Sequence, residues 1–366
     1  MTSTLSFRRY LNPRVATPAQ VAEVLANPGF GKHTTDHMVT ISFDPENGWH
    51  DAQVRPFAPL ALSPCASVLH YGQAIFEGLK AFRQPDGSVA CFRPDANARR
   101  FAASAARLAM PELPAELFLS SLTELVALDE RWVPEGTGKS LYLRPLMIAT
   151  SADLVVTAGT RYEYVLVALP TGSYFTGGVK PITAWLSREY VRASPDGTGS
   201  AKCAANYAGT LLAQAQAAEN GCSQVVWLDA VDRHWVEEMT SMNLFFVFGS
   251  GPGARVVTPE LSGSLLPGVT RDAIIRIAAE LGLDVEERRV SADEWRDTAA
   301  SGALTEVFAC GTAAVVTPVG TVKSADGEIV VNGGRPGSLT MELRRRLVAI
   351  QEGVEPDVHG WMHTIA

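Results

Sequence analysis

Residues 198–209 read TGSAKCAANYAG and surround Lys202 with glycine, serine, alanine and cysteine, just before a helix predicted over about 204–219. Small neighbours allow a ligand to approach closely, and apolar surroundings favour the uncharged form of an amine, which a nucleophilic lysine requires. A solvated lysine near a helix start would show the same pattern. Lys80, in EGLKAFR, is a second lysine among apolar residues, so the pattern alone does not choose between the two.

The composition of the whole chain is that of a globular protein, not of a disordered one. The chain has 366 residues, 46% hydrophobic and 19% charged, which suggests about two domains. Its net charge of −8, without a block of lysine and arginine, argues against nucleic acid and anionic membrane surfaces as partners. The start of the chain lacks the apolar stretch of a signal peptide. We therefore expect a soluble cytoplasmic protein, and an enzyme.

Five scattered cysteines without a CxxC pair argue against a disulfide framework and against a cysteine-rich zinc site. No metal is expected. The pairs His33/His37 and His359/His363 have i, i+4 spacing, but no acidic third ligand accompanies either pair in a recognisable pattern.

Helical and strand-like periodicities alternate along the chain, which predicts a mixed α/β fold. The segment PTGSYFTGGVKP, residues 170–181, contains three glycines and two prolines and is the best candidate for an interdomain connection. We expect a smaller N-terminal α/β domain over 1–175, a linker over 176–181 and a larger C-terminal domain over 182–366.

Several further segments could carry chemistry, and each has a plainer interpretation. Glu237 and Glu238 lead directly into an apolar strand, so at least one could be buried and require a cationic partner. Alternatively, strand alternation turns one of them to solvent and leaves the other in a turn. LSGSLLPGVTRD, residues 261–272, opens a helix whose free N–H groups suit a phosphate, although most helix starts are only capped. CGTAAV, residues 310–315, could present backbone N–H groups to an anion or form an ordinary tight turn.

Nine segments together resemble the branched-chain amino-acid aminotransferases of the pyridoxal-phosphate fold type IV class, in the bacterial, actinobacterial-like form. No single segment is decisive, but all nine occur in the same order and at matching intervals over nearly the whole chain. The segments are GFGKHTTDHM, LHYGQAIFEGLKAFR, FRPDANARRF, LYLRPLMIAT, AKCAANYAG, GCSQVVWLD, EEMTSMNLFFV, LSGSLLPGVTRD and FACGTAAVVTPV. The resemblance implies a two-domain α/β fold with pyridoxal 5′-phosphate at the domain interface.

The resemblance assigns cofactor-binding roles and resolves the choice between the lysines. Lys202 matches the catalytic lysine that forms the Schiff base (internal aldimine), Glu238 the acid on the pyridine nitrogen, and Tyr207 the phenol at the 3′ oxygen. Arg100 matches the phosphate-binding arginine better than Arg99 does. The remaining phosphate ligands match Ser241, Val269, Thr270 and Thr312. Relatives tend to have glycine where this chain has Thr240, and Gly-Gly where it has Ala204-Ala205, so both places could need positive φ or close approach of the cofactor.

The resemblance also implies a substrate site. Aromatic residues of an apolar side-chain pocket match Phe30, Phe76, Tyr142 and Tyr174. Tyr71 matches a tyrosine from the partner subunit, which implies a homodimer. Arg144 matches a pocket arginine for the second carboxylate of glutamate, and Ala313, next to Thr312, matches the backbone N–H that meets the substrate carboxylate.

The implied activity is transfer of the amino group of L-leucine, L-isoleucine or L-valine to 2-oxoglutarate by ping-pong kinetics, in branched-chain amino-acid biosynthesis and degradation. An apolar pocket separates these three substrates weakly. The alternative within the fold is a D-amino-acid aminotransferase or an enzyme like aminodeoxychorismate lyase. A non-catalytic protein of the same fold is a second alternative. A nucleotide-binding oxidoreductase would depend only on GSGPGA, residues 249–254, which lacks the GxGxxG spacing.

Overall fold

The computed structural model describes residues 5–172 and 178–366, which form two compact units. Unit 1 comprises residues up to 174 together with 201–205 and 350–366, and unit 2 comprises 175–200 and 206–349. In the described ranges, no helix is both long enough and apolar enough to cross a bilayer.

Unit 1 is built on a nine-stranded mixed sheet in the order β1-β3-β2-β8-β7-β5-β6-β18, with β4 paired to β7. Its strands are β1 Arg8–Arg9, β2 His37–Asp44, β3 Gly48–Pro56, β4 Ala74–Phe76, β5 Leu79–Arg83, β6 Val89–Phe92, β7 Ser140–Ala149, β8 Tyr162–Thr171 and β18 Met362–Thr364. Most neighbouring strands are antiparallel, and short hairpins join β2 to β3 and β5 to β6.

Four helices accompany this sheet: α1 Pro18–Ala26, α2 Ser67–Tyr71, α3 Pro94–Arg107 and α4 Ala115–Leu128, which a 3₁₀ turn, Glu130–Trp132, follows. Thr17 and Gln20 form a capping box at the start of α1. In the core, the ring of Phe101 on α3 lies 5.6 Å from that of Phe118 on α4 and 5.8 Å from that of Tyr164 on β8. These aromatic contacts fix α3, which carries Arg100, against the sheet.

Unit 2 contains a second nine-stranded sheet in the order β11-β10-β9-β16-β15-β12-β13-β14, with β17 paired to β16. Because β11 also pairs with β12, six of these strands close into a ring. The strands are β9 Ile182–Ser187, β10 Gln224–Leu228, β11 Val236–Met239, β12 Met242–Phe248, β13 Arg255–Thr258, β14 Asp284–Glu287, β15 Leu304–Gly311, β16 Val315–Ser324 and β17 Gly327–Val330.

The remaining helices are α5 Ala204–Ala208, α6 Leu211–Glu219, α7 Val269–Glu280, α8 Ala292–Ser301 and α9 Ser338–Gln351, with 3₁₀ turns at Gly251–Gly253 and Asn332–Gly334. The predicted helix over 204–219 is thus two helices. Thr210 interrupts it because both its N–H and its hydroxyl bond to the carbonyl of Tyr207, which makes a tight turn before α6.

Two segments lie in a different unit from the one expected from the sequence. The chain end belongs to unit 1 because β18 forms an antiparallel pair with β6. Residues 201–205 belong there because Cys203 forms an antiparallel bridge with Ile75. Such long-range pairing leaves no local signal in the sequence.

Candidate active site

Lys202 is held through its main chain by two elements of unit 1. The N–H of Phe76, at the end of β4, donates to the carbonyl oxygen of Lys202 at 3.0 Å. The N–H of Lys202 donates to the hydroxyl of Ser104 on α3 at 2.9 Å. The side chain is half-buried, and its Nζ lies 4.9 Å from the centre of the Phe76 ring. The backbone of this residue is therefore fixed although it lies outside regular secondary structure.

Arg100 forms a two-point ion pair with a fully buried carboxylate, Glu77. Its Nε and Nη2 donate to the two carboxylate oxygens at 2.6 and 2.8 Å. Asn97, one turn earlier on α3, adds a third hydrogen bond to Glu77 at 2.7 Å. Arg99 instead points outward, with a side chain 68% exposed against 9% for Arg100, and pairs with Asp95. The helix therefore presents only Arg100 as a buried cation at this place.

The charges around Glu77 keep its carboxylate ionised. Burial raises the pKa of this carboxyl, but the charge and hydrogen bonds of Arg100, the charge of Lys202 and the Asn97 hydrogen bond outweigh burial and leave the pKa below its ordinary value. Glu77 is thus the counterion of two of the cations that belong to the expected site. Sequence analysis missed it, although a lone acid in the apolar run AIFEGL was a usable signal.

A series of aromatic and cationic contacts connects the expected substrate residues of unit 1. Phe30 packs edge-on against Tyr142, with ring centres 5.3 Å apart. Arg144 donates to the Tyr142 hydroxyl at 3.0 Å, and its guanidinium carbon lies 4.9 Å from the centre of the Phe76 ring. Lys202 contacts the same Phe76 ring. The structure therefore brings four of the expected pocket residues together with the expected catalytic lysine.

Two other expected pocket residues are not part of this series. Tyr71 ends the short helix α2, is 39% exposed, and has its ring 6.1 Å from that of His70. Tyr174 lies outside the described residues.

Gly78 and Lys80 both lie next to Tyr142. A Cβ on Gly78 would overlap the Tyr142 hydroxyl, so only glycine fits there without displacing that ring. Lys80 is buried on β5 and stands opposite Tyr142 in the strand register. The second lysine that the sequence left open therefore lies in the same sheet as the aromatic series.

In unit 2, Glu238 lies on β11 beside a buried arginine that sequence analysis did not single out. Arg192 Nε is 2.8 Å from Glu238 Oε1, and both side chains are at most 5% exposed. Arg192 Nη2 also donates to the carbonyls of Gly199 and Ser264 at 2.8 Å each. The other Glu238 oxygen accepts the N–H of Leu266 at 3.1 Å. These partners fix the orientation of Glu238.

Glu237 is also buried but in a different electrostatic setting. Burial raises its pKa, and the charge of neighbouring Glu238 raises it further, whereas a hydrogen bond from the Ser264 hydroxyl lowers it. The net effect favours the protonated form. Of the two adjacent acids, Glu238 thus has a cationic partner and Glu237 is the one stabilised by neutralisation.

The start of α7 has the form expected of an anion site. Its first residues are Val269 and Thr270, and its N-cap is Gly268, which has no side chain to accept their N–H groups. A Cβ on Gly268 would overlap the amide oxygen of Asn243, whose nitrogen holds the Leu266 carbonyl at 3.1 Å. Asn243 therefore fixes the loop that leads into this helix.

Thr240 adopts the positive φ that its departure from glycine suggested. Its φ is +48°, a conformation that is unfavourable for a β-branched residue. Its hydroxyl compensates in part by accepting the N–H of Val225 at 2.9 Å, and its own N–H donates to the Val225 carbonyl at 2.7 Å. Ser241, the next residue, is exposed at the tip of this β11–β12 turn.

Thr312 and Ala313 lie in the tight turn that joins β15 to β16. Arg344, on α9, holds this turn by donating to the carbonyls of Ala314 and Val316 at 2.9 and 2.7 Å. Arg344 thereby fixes this turn through two of its carbonyls.

Tyr207 is half-buried on α5, beside a residue that anchors the preceding loop. Asn206 accepts a hydrogen bond from the Thr198 hydroxyl at 2.6 Å and donates to the Thr198 carbonyl at 2.7 Å. Both ends of the segment 198–206 are thereby fixed to each other. No pattern in the sequence indicated this contact.

The side chains present suit a phosphorylated pyridine aldehyde. A buried guanidinium and a glycine-capped helix N-terminus suit a phosphate, a buried carboxylate beside an arginine suits a protonated pyridine nitrogen, and an amine suits an aldehyde. Unit 1 carries Lys202 and Arg100, and unit 2 carries Tyr207, Glu238, Ser241, Val269, Thr270, Thr312 and Ala313. Among the described residues, no group of three or more His, Cys, Asp or Glu side chains could hold a metal ion.

Comparison with known proteins gives a consistent result. The chain is 59% identical over 359 residues to a branched-chain-amino-acid aminotransferase of Mycolicibacterium smegmatis, covering 98% of each chain. It is 56% identical over 355 residues to the enzyme of that name from Mycobacterium tuberculosis, covering 97% of this chain and 96% of the relative.

Solved structures agree with these matches. The branched-chain amino acid aminotransferase of Escherichia coli superposes with a TM-score of 0.74 at 27% identity, covering 90% of this chain and 99% of that one. The T.th. enzyme of the same name, solved with pyridoxamine 5′-phosphate, gives 0.70 at 28% identity, covering 89% and 98%. The expected fold type and its cofactor, pyridoxal 5′-phosphate, are thereby confirmed.

Residues 74–322 match the Amino-transferase class IV family, which covers more than half of the chain and includes the lysine, the arginine and the buried acid described above. The resemblance found in the sequence is confirmed: the chain belongs to the amino-transferase class IV family.

Proposed function

We propose that this enzyme transfers the amino group of L-leucine, L-isoleucine or L-valine to 2-oxoglutarate. The observation that carries the proposal is the high identity, over nearly the whole chain, to two relatives named as branched-chain-amino-acid aminotransferases. The aromatic series of Phe30, Tyr142 and Phe76 supports it, because such surfaces suit an apolar side chain. Arg144, at the same place, is a cation suited to the second carboxylate of glutamate.

Each residue then has a defined task. When bound, pyridoxal 5′-phosphate supplies a conjugated ring that accepts electrons from the Cα of the amino acid. Lys202 Nζ would hold the cofactor at its aldehyde carbon and, as a free amine, would take the Cα proton and deliver it to the 4′ carbon. Glu238, aligned by Arg192, holds the proton on the pyridine nitrogen, and Tyr207 donates to the 3′ oxygen.

The phosphate and the substrate carboxylate require N–H and hydroxyl groups. Arg100 binds the phosphate, with the further ligands Ser241, Val269, Thr270 and Thr312. The N–H of Ala313 binds the substrate carboxylate. The resemblance assigns Tyr174 to the apolar pocket and Tyr71 to the site of the partner subunit in a homodimer. We place this enzyme in the cytoplasm, in branched-chain amino-acid biosynthesis and degradation.

An absorption spectrum of the purified holoenzyme tests the reaction class. L-Leucine should remove the yellow band of the lysine-bound cofactor, and 2-oxoglutarate should restore it, because the two half-reactions are separate. Initial rates at several concentrations of both substrates should give parallel double-reciprocal lines. A band that L-leucine leaves unchanged and D-alanine removes would favour the D-amino-acid alternative instead.

A further inference from the structure

Ser104 is a buried serine on α3, one turn after Arg100, and its hydroxyl has two partners. It donates to the carbonyl of Arg100 at 2.9 Å, which is the usual back-bond of a helical serine. Because its proton is used there, its oxygen is the acceptor for the N–H of Lys202 at 2.9 Å. The second bond is not part of helix formation and joins α3 to the residue that carries the expected chemistry.

The main chain at Lys202 is held on its other side as well. The carbonyl of Lys202 accepts the N–H of Phe76, and Cys203 bridges to Ile75 on β4. Helix α3 and strand β4 thus hold the two sides of the Lys202 backbone. Of these contacts, only the Ser104 bond comes from a side chain, so it is the one that a substitution can remove without altering the main chain.

We propose that Ser104 is a positioning residue for Lys202, and that its hydroxyl fixes the backbone from which the amine reaches the cofactor. One helix would then set both the phosphate ligand, Arg100, and the attachment point of the cofactor, Lys202. The inference rests on the proposed role of Lys202. It predicts that loss of the hydroxyl weakens the bond between lysine and cofactor more than it weakens phosphate binding.

Two forms of the cofactor separate these effects. Pyridoxal 5′-phosphate has an aldehyde and can bond to Lys202, whereas pyridoxamine 5′-phosphate has the same phosphate and ring but no aldehyde. The ratio of their dissociation constants, measured by equilibrium dialysis on the full-length protein, reports the lysine bond. Ser104→Ala should reduce the preference for the aldehyde form about 5- to 30-fold, which corresponds to about 1–2 kcal/mol for reordering one residue of backbone.

Ser121 provides a matched control on α4. It too is a fully buried helical serine that bonds back within its helix, to the Phe118 carbonyl at 2.6 Å, but its second partner is the Tyr164 hydroxyl at 2.8 Å. Ser121→Ala should leave the ratio unchanged. Ser104→Thr retains a hydroxyl that can make both bonds in a helix and should restore the ratio to within about twofold.

Each outcome of the dialysis experiment has one meaning. If Ser104→Ala weakens both cofactor forms equally, or leaves the ratio at its wild-type value, Ser104 is only structural and the proposal is wrong. If the wild-type protein itself does not prefer the aldehyde form, the proposed role of Lys202 fails first. Should Ser104→Ala not fold, Ser104→Cys keeps the volume with a weaker acceptor, and its ratio must fall in the same direction.

Discussion

Replacement of Glu77 by glutamine removes a buried negative charge and leaves its shape in place. Glu77 has no exposed surface, and Arg100, which donates to both of its oxygens, is only 9% exposed. The variant therefore leaves a buried guanidinium without its counterion, and removal of one partner of such a pair costs about 3–5 kcal/mol. Because glutamine retains one acceptor oxygen, we expect a loss of about 3 kcal/mol in the free energy of unfolding, at the lower end of that range.

Urea unfolding of the holoenzyme followed by circular dichroism measures this loss, with Glu342→Gln as the control. Glu342 pairs with Arg345 on the surface, with 41% and 55% of the two side chains exposed. That pair should contribute at most about 1 kcal/mol. Equal losses in the two variants would refute the account of Glu77 as a buried counterion.

The pH dependence of the free energy of unfolding tests the role of Glu77 a second time. Burial raises the folded-state pKa of Glu77, but Arg100, Lys202 and Asn97 together outweigh burial and hold the pKa below its ordinary value of 4.5. The contribution of the carboxylate is therefore fully present above pH 4.5 and is lost as the pH falls through the lower, folded-state pKa. The stability difference between wild type and Glu77→Gln should be constant near neutrality and shrink in acid.

Two further predictions concern unit 2. A Cβ on Gly337 would overlap the Glu306 carboxylate that caps the first N–H groups of α9. Gly337→Ala should therefore destabilise the folded protein by about 1–3 kcal/mol in thermal unfolding. Gly253→Ala, whose Cβ meets open space, should not. Burial and the charge of Glu238 raise the pKa of Glu237. The ionised Glu237 carboxylate therefore destabilises the folded state, and this penalty grows as the pH rises above the ordinary pKa of 4.5. Glu237→Gln, which keeps the acceptor for Ser264, should therefore be more stable than wild type at about pH 8 and equal to it near pH ~3; a variant less stable in the alkaline buffer would contradict this.

Local patterns predicted the mixed α/β fold, because helices and strands have different periodicities. The helix expected to open within LSGSLLPGVTRD occurs as Val269–Glu280. The helix predicted over 204–219 was wrong at its centre, since the Thr210 hydroxyl competes for a backbone carbonyl. A side chain that bonds to its own helix leaves no trace in hydrophobic spacing.

The resemblance supplied the expected cofactor-binding residues, but sequence analysis did not single out Arg192, Glu77 and Ser104, which contact them. Arg192 lies in an irregular loop without periodicity, and Glu77 and Ser104 act through partners more than 20 residues away. Their function depends on burial and on long-range contacts, which a single sequence does not display. The departures from glycine were only a partial guide: Thr240 has positive φ, whereas Ala204 and Ala205 lie on α5 and do not.

We expect Lys202, and not Lys80, to bind the cofactor through its side-chain nitrogen. Reduction of the holoenzyme with sodium borohydride makes the bond between lysine and cofactor permanent, and peptide mass spectrometry then locates it. The cofactor mass should appear on the peptide that contains Lys202, and should be absent from that peptide if the cofactor is released before reduction. Attachment to Lys80, or to any other lysine, would contradict the account.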